Sequence, residues 1–503
     1  MIRTSGQELI AAGIGQIYVH GVREDSANIV ISSVTTDSRH AGEGSAFVAI
    51  KGERVDGHDF VGSLDGAVLA VVDHLIEGTP IPQLLVDDTV KALGDIARLN
   101  IEKRRMYAQR GMNEFTVIGI TGSVGKTTTK DMLSAVLSQL APTVAPQGSF
   151  NNNIGLPLTA LEVDEKTRFF VAEMGASAVG EIAYLTTIAR PDISIVLKVG
   201  VAHLGGFGSV EHIRDAKAEI VRALTTNGVA ILNADDENVR TMAQMTKASS
   251  IIWFSRADEQ LQPKPATSTA VSSVILRGTN TELDDFNRPK FSITLPDGSH
   301  FNLRLGIAGE HNVYNALAVL SVVYSLDIPE HIAASVLSHM ESISEHRMHM
   351  ASVQVEDAHF TVIDDSFNAN PDSMRAGLNA LSTLHADDKD IYRVAVIGSM
   401  LELGVTEEEA HREIGLYAST HANEVIAVGS PTDENLMRLA RCISEGASLS
   451  QTSHVHLVSD TDEAHELVMQ CAHEHKCVVL LKGSHASGLS ALAARWLGNA
   501  NEK

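Results

Sequence analysis

The chain is poor in cysteine: Cys442, Cys471 and Cys477 are the only three in 503 residues. They form no CxxC pair and are too few and too clustered for a disulfide framework, which fits a reducing cytosol. Positive charge is also scarce. Thirty-nine Lys and Arg stand against 63 Asp and Glu, a formal net charge of −24. That balance argues against a nucleic-acid binder, which needs a basic footprint. It leaves anionic substrates open, because a few local cations or a metal can receive them. No apolar run reaches ~18 residues, so no membrane insertion is expected. The opening MIRTSGQELI lacks the apolar core of a signal peptide, and a cytoplasmic location is expected. There is no obvious short-period repeat.

Hydrophobic residues make up 44% and charged residues 20%, ordinary for a soluble globular chain. One domain per ~150 residues predicts about three. Residues 1–112 mix short apolar runs with turns and end in the charged stretch Asn100-Ile-Glu-Lys-Arg-Arg-Met. From Phe115 strand-like runs alternate with helical patterns: VIGI (117–120), FFVAEMG (169–175), ISIVLKVG (193–200) and VAILNADD (229–236). Such alternation predicts βαβ units around a mostly parallel sheet. Residues 258–300, with Pro263, Pro265 and Pro289, read as loops or an edge hairpin. A helix is predicted at 312–326, with Val313, Leu317, Leu320 and Tyr324 on one face. From about 345 the alternation restarts with TVIDDS (361–366), RVAVIGS (393–399), EVIAVGS (424–430), VHLVSD (455–460) and CVVLLKGS (477–484). The expected architecture is α/β in three parts, with boundaries at 1–112, 113–340 and 341–503. In open α/β sheets ligands sit beyond the carboxyl ends of strands, so chemistry is sought just after each run.

Residues 121–129, TGSVGKTTT, occupy such a strand end. Gly122 and Gly125 let backbone N–H groups approach phosphates, with Ser123 and Val124 between them. Lys126 supplies charge to the β/γ oxygens, and Thr127 offers a hydroxyl to Mg²⁺. The helix from about Lys126 to Leu140 directs its positive end at the same anion. The match to G-x-x-x-x-G-K-[ST] is imperfect, since Ile120 stands at the first glycine position. A ligand-free glycine turn is the bland alternative. A regulatory GTPase would carry DxxG and NKxD motifs downstream, and neither appears.

Two other strand ends carry candidates. Glu173 closes FFVAEMG, and His203 follows ISIVLKVG in VAHLGGFGS. Near Thr127 they would suit a divalent metal, although Mg²⁺ prefers oxygen; singly, each is more commonly a solvated surface group. Lys217 lies in SVEHIRDAKAEIVRAL, a helix that Ser209 can cap and whose first turn suits Glu211. It shares a face with Ile213, Ile220 and Leu224, while Arg214 and Glu219 point elsewhere. Its stem could snorkel to solvent, or the amine could be partly buried with its charge disfavoured.

The motifs TGSVGKTT, AEMG, AHLGGFGS with AKAE, GEHNVYNALA, EHRM and DDSFNANP occur in the order found in the Mur ligases. The chain resembles that family over nearly its whole length. Within it, FNNNIGLPLTAL (150–161), DDSFNANPDSM (364–374) and TTDSR…FVAIKGERVDGHDFV (35–61) resemble the members that join D-alanyl-D-alanine to UDP-N-acetylmuramoyl-tripeptide. The resemblance implies a UDP-substrate domain (1–112), a central P-loop ATPase (113–340) and a Rossmann-like C-terminal domain (341–503) that closes over the site. It implies ATP and Mg²⁺ and those two substrates; the sequence is silent on oligomeric state, and a monomer is expected. Gly122 to Thr128 would bind ATP; Thr127, Glu173 and His203 would hold magnesium directly or through water. Lys217 matches the lysine carbamylated in these ligases, which makes it a carboxylate-like metal ligand. Lys126, Lys217 and His203 are the implied catalytic set. Asn312, with His311 beside it, would lie near the adenine or phosphates. Arg347 and Asp365 would reach the nucleotide from the C-terminal domain, Asp365 towards the ribose. Ser38 and Arg39 would meet the uridine diphosphate, and Asn152, Asn153, Ser177 and Lys482 are further substrate candidates.

Three positions depart from the family pattern. EMGAN becomes EMGAS at Ser177, KGSR becomes KGSH at His485, and DDSYN becomes DDSFN at Phe367. His485 puts any arginine clamp there in doubt. The implied chemistry is an acyl phosphate formed from a carboxylate and then attacked by an amine. Alternatives are a folylpolyglutamate synthetase-like enzyme, another Mur ligase, or a non-catalytic nucleotide-binding protein.

Overall fold

The apolar run after Glu114 becomes the strand Thr116–Thr121, buried on both sides because parallel neighbours and helices cover it. The computed structural model describes residues 1–498 apart from 27, 53–54, 201–206, 258–271, 341–345, 356, 387 and 451. Its strands form three large sheets, and each anchors one α/β unit.

In the N-terminal sheet the order is Val22–Arg23, Gln16–Val19, Gln83–Leu85, Leu69–Val72, Ser45–Val48, Ser33–Thr35, with the last four strands parallel. The charged stretch after Asn100 is helical. It belongs to the helix Thr89–Gln109, which packs on the helices Gly155–Glu162 and Glu181–Ile188 of the central unit. Arg104 is fully buried there because its guanidinium donates to the carbonyls of Thr167, Asn113 and Glu114. Buried Asn100 likewise donates to Ala160 O and Val163 O. Hydrogen bonds of this kind make burial tolerable, although Arg104 Nη1 is left without a partner among the described residues.

The central sheet runs Thr143–Val144, Phe169–Glu173, Thr116–Thr121, Ile193–Val196, Val229–Asn233, Ser250–Ser255, Ser272–Leu283, Pro289–Thr294, His300–Arg304. Its first seven strands are parallel and its last two antiparallel. The segment read as loops or an edge hairpin thus contributes a long strand as well as the hairpin. An edge strand with one wet face carries polar residues that blur its apolar alternation. Pro263 and Pro265 lie outside the described residues. The helix Asn312–Ser325 was expected to bury one face, but Val313 to Val323 are buried all round, Tyr314 apart. It is packed between the sheet and the helices Lys126–Ser138 and Glu330–His339.

The C-terminal order is His349–Val355, Ala358–Asp365, Lys476–Lys482, Ile391–Ile397, Glu424–Val428, His454–Val458. All pairs are parallel except the first. Asn287 Nδ2 donates to Ala380 O across the boundary with the central unit. The Lys198–Asp372 ion pair, at 3.3 Å, is a second bridge.

Candidate active site

Between the central and C-terminal units lies a cleft of about 1340 Å³. Its floor is the turn from the strand Thr116–Thr121 into the helix Lys126–Ser138. Gly125 caps that helix in the left-handed region, φ 84°, and no side chain satisfies the first-turn N–H groups. A Cβ on Gly125 would lie 2.5 Å from Asn315 Oδ1, so glycine is needed for conformation and for space. The free N–H groups and the helix dipole suit an anion. Lys126 Nζ donates to Gly122 O at 2.9 Å. Loss of bulk water pushes its ammonium pKa down; Glu173 opposes this and Arg347 adds to it.

Glu173, at the end of the neighbouring strand Phe169–Glu173, is 1% exposed. Its Oε1 accepts from Thr127 Oγ1 at 3.3 Å and from Asn151 Nδ2 at 2.7 Å. Its Oε2 is buried with no partner among the described residues. A desolvated carboxylate oxygen beside a threonine hydroxyl is the oxygen donor set that a hard divalent cation takes. Magnesium therefore fits these residues.

Lys217 enters the cleft from the helix Val210–Arg222, capped by Ser209. It is 3% exposed, and its Nζ has no hydrogen-bond partner among the described residues. Burial first, and the Lys126 charge second, bring it down to about 7. The lysine is thus buried, not snorkelling. Glu219, expected to point away, is buried too. It accepts from the N–H groups of Gly180 and Ala183 at the start of the helix Glu181–Ile188. An acid within an apolar helix pattern looks like a solvent-facing residue until the helix end it caps is known.

The C-terminal unit closes the cleft from above. Arg347 Nη2 donates to Thr127 Oγ1 at 3.3 Å and Ser149 Oγ at 3.2 Å. Its guanidinium carbon stands 4.5 Å from the Phe367 ring centroid, so the phenylalanine of DDSFN serves as a cation–π platform. Asp365 lines the cleft and pairs with Lys482 at 2.5 Å. Lys482 is 1% exposed and also donates to Asn368 O, so it holds the Asp365–Asn368 turn. His485 is exposed, with its ring centroid 6.5 Å from that of Phe367.

Other candidates are placed as follows. Asn312 borders the cleft, but its amide is spent inward on Ala308 O and Asn315. His311 also lines the cleft, and burial lowers its pKa. Ser123, Val124 and Thr128 line the floor, while Asn152, Asn153 and Ser177 line one flank. Asn152 Oδ1 accepts from Gly155 N, and Ser177 Oγ donates to Glu181. Ser38 and Arg39 are not part of this cleft. They sit on the short helix Ser38–His40 of the N-terminal unit, with Arg39 exposed and paired to Asp37 at 2.6 Å. His203 lies outside the described residues.

Sequence reasoning missed three contributors. Asn151 orients Glu173, and Ser149 shares Arg347 with Thr127. Lys130, buried, donates to Pro146 O and Gly148 O and so sets the approach to Ser149. The run Phe150-Asn-Asn-Asn was a signal for the first, but nothing in it says which asparagine turns inward.

A phosphate cradle, a buried acid and a buried amine facing a second α/β unit across one cleft define a nucleotide-using enzyme of the ligase type. Three family descriptions match in order: "Mur ligase family, catalytic domain" over residues 30–100, "Mur ligase middle domain" over 120–323, and "Mur ligase, glutamate ligase domain" over 346–485. The chain belongs to the Mur ligase family. It is 35% identical to the UDP-N-acetylmuramoyl-tripeptide–D-alanyl-D-alanine ligase of Mycobacterium tuberculosis (strain CDC 1551 / Oshkosh), covering 97% of each chain. A crystal structure of MurF from Acinetobacter baumannii is similar with a TM-score of 0.81 at 30% identity, over 99% of both chains. MurF from Thermotoga maritima, solved in complex with ADP, shares the fold: TM-score 0.75 at 24% identity, over 93% of this chain and 98% of that one.

Proposed function

We propose that this chain is the ligase that adds D-alanyl-D-alanine to UDP-N-acetylmuramoyl-tripeptide at the expense of ATP, giving the pentapeptide precursor of peptidoglycan. Residues 1–112 receive the UDP-substrate, 113–340 bind ATP, and 341–503 close over both. The enzyme acts in the cytoplasm as a monomer. One observation carries the reading: Lys126, Thr127, Glu173 and Lys217 meet Arg347 and Asp365 in a single cleft between two units. A switch or a scaffold has no need of a buried amine and an orphaned carboxylate oxygen beside its phosphate loop.

The chemistry follows from charge. A peptide carboxylate is a poor acyl electrophile, and bringing it to the γ-phosphate sets two anions together. Lys126, the first-turn N–H groups of its helix and Arg347 offset that repulsion. Thr127 and Glu173 would hold Mg²⁺, which neutralises phosphate charge when bound; His203 is assigned to the same task from its motif. Lys217, with an amine at about 7, has the neutral form that adds to carbon dioxide, releases a proton and becomes a carbamate. The tripeptide carboxylate takes the γ-phosphoryl group and ADP leaves. The free amine of D-alanyl-D-alanine then attacks the acyl carbon, loses a proton and expels phosphate as the amide forms. Asp365, fixed by Lys482, takes the ribose. Asn152, Asn153 and Ser177 face the muramoyl-peptide, and Ser38 and Arg39 the uridine diphosphate. Closure by the C-terminal unit keeps water from the acyl phosphate.

The test is incubation with ATP, Mg²⁺, UDP-muramoyl-tripeptide and D-alanyl-D-alanine, read by mass. The pentapeptide product and one ADP per product are expected. ATP binding without positional oxygen exchange on ATP, and without product, would leave only a nucleotide-binding protein.

A further inference from the structure

The N-terminal unit carries a second cluster of ligand-type side chains outside the cleft. His58, on the short helix Gly57–Ser63, is 4% exposed at its side chain. Its Nδ1 lies 2.6 Å from Asp56 Oδ1. With Nδ1 donating to that carboxylate, the tautomer whose lone pair sits on Nε2 is the one that can bind a metal. Nε2 faces Asp73, just past the strand Leu69–Val72: the Asp73 backbone N–H is 3.3 Å away and its Oδ1 3.2 Å. The same Oδ1 is 2.5 Å from His74 Nδ1. The two imidazoles stack with centroids 4.5 Å apart, so both bring a nitrogen to one carboxylate oxygen.

We propose that His58, Asp73 and His74 form a divalent transition-metal site of the zinc class, distinct from the oxygen-rich site at Thr127 and Glu173. Their ligand atoms already lie within 4.8 Å of one another. Around a tetrahedral zinc such atoms stand roughly 3.3 Å apart, from bond lengths of ~2.0–2.2 Å. The required contraction falls on His74 and Asp73, whose side chains are 60% and 41% exposed and free to turn. It costs one long hydrogen bond, from Asp73 N to His58. Two imidazoles and one carboxylate suit zinc, cobalt or nickel and not magnesium. Asp56 supplies the outer carboxylate that ligating histidines commonly have. The exposed side leaves a fourth position for water. Occupied, the site ties the helix Gly57–Ser63 to the end of a core strand.

Zn²⁺ titration of the full chain by calorimetry, with Mg²⁺ in excess, tests this, with Co²⁺ absorption as a second reading. The natural chain should take up one Zn²⁺ that His74→Ala and Asp73→Asn bind at least ~10-fold more weakly. Asp56→Asn should also weaken it. The Co²⁺ visible bands should vanish in His74→Ala. Both substitutions are at exposed side chains, and circular dichroism checks that the variants are folded. Equal Zn²⁺ stoichiometry and affinity in the natural chain and both variants would overturn the proposal, as would no saturable Zn²⁺ uptake by the natural chain.

Discussion

Lys217→Met isolates the cost of the buried amine. Methionine keeps the unbranched stem in place and removes the ammonium. In the folded chain the amine is brought from 10.5 to about 7, by burial first and by Lys126 second. Between those values the unfolded chain binds more protons than the folded one, so stability rises with pH in that window. Below about pH 7 the whole penalty applies, roughly 5 kcal/mol at full burial. The methionine variant should therefore be the more stable protein at pH 6. Its advantage should shrink by about tenfold in the folding constant for each pH unit above 7. Guanidinium unfolding of both proteins between pH 6 and 9.5, in carbon dioxide-free buffer, measures the difference. In a Trp496→Phe background, buried Trp253 of the central sheet reports the relevant transition. Taking the difference cancels the titrating groups that do not interact with Lys217. An advantage that stays constant from pH 7 to 9.5, or a methionine variant that is less stable at pH 6, would refute the reasoning. The same variant should be inactive, and Lys217→Ala should recover part of its activity with added short carboxylic acids. Normal turnover of Lys217→Ala without rescue would make Lys217 a packing residue.

Lys126→Ala should abolish ADP release that depends on both substrates; near-normal turnover would defeat the phosphate-loop assignment. Gly125→Ala should do nearly as much damage by a different route, seen as lost nucleotide affinity in calorimetry, since its Cβ meets Asn315 and its φ is left-handed. Lys482→Met should leave Asp365 half-buried without its partner, a loss of about 3–5 kcal/mol for a buried pair, reduced by the 14% exposure of Asp365. It should appear as a lower melting temperature and a raised KM for ATP. His485→Ala, at an exposed ring, should leave the melting temperature unchanged and the KM for ATP within twofold.

The loop 121–129 was legible because its chemistry is local. Strand, glycine, lysine, threonine and helix follow one another, and the backbone that binds the anion is built from consecutive residues. The strands around it were legible for the same reason: burial on both faces forces continuous apolar runs. Ser250–Ser255 and His349–Val355 escaped because a short apolar core with polar ends reads equally as a turn-bounded loop. Arg104 and Glu219 escaped because a charged side chain within a helix carries no mark of burial. Each is held in part by a carbonyl or N–H partner more than 30 positions away, Thr167 O for Arg104 and Gly180 N for Glu219.

Order along the chain was enough to name the phosphate loop, its lysine, the candidate metal acid and the family resemblance, since these depend on residue type and short spacing. Chain order left open that, among the described residues, Lys217 is buried without a hydrogen-bond partner and Glu173 keeps one oxygen unsatisfied. Nor could it say that Arg347 rests on Phe367 while reaching Thr127, 220 positions distant. Those facts arise when two sheets meet across a cleft. Desolvation, which sets the state of the amine and the carboxylate, depends on what packs around a group and not on what precedes it in the chain.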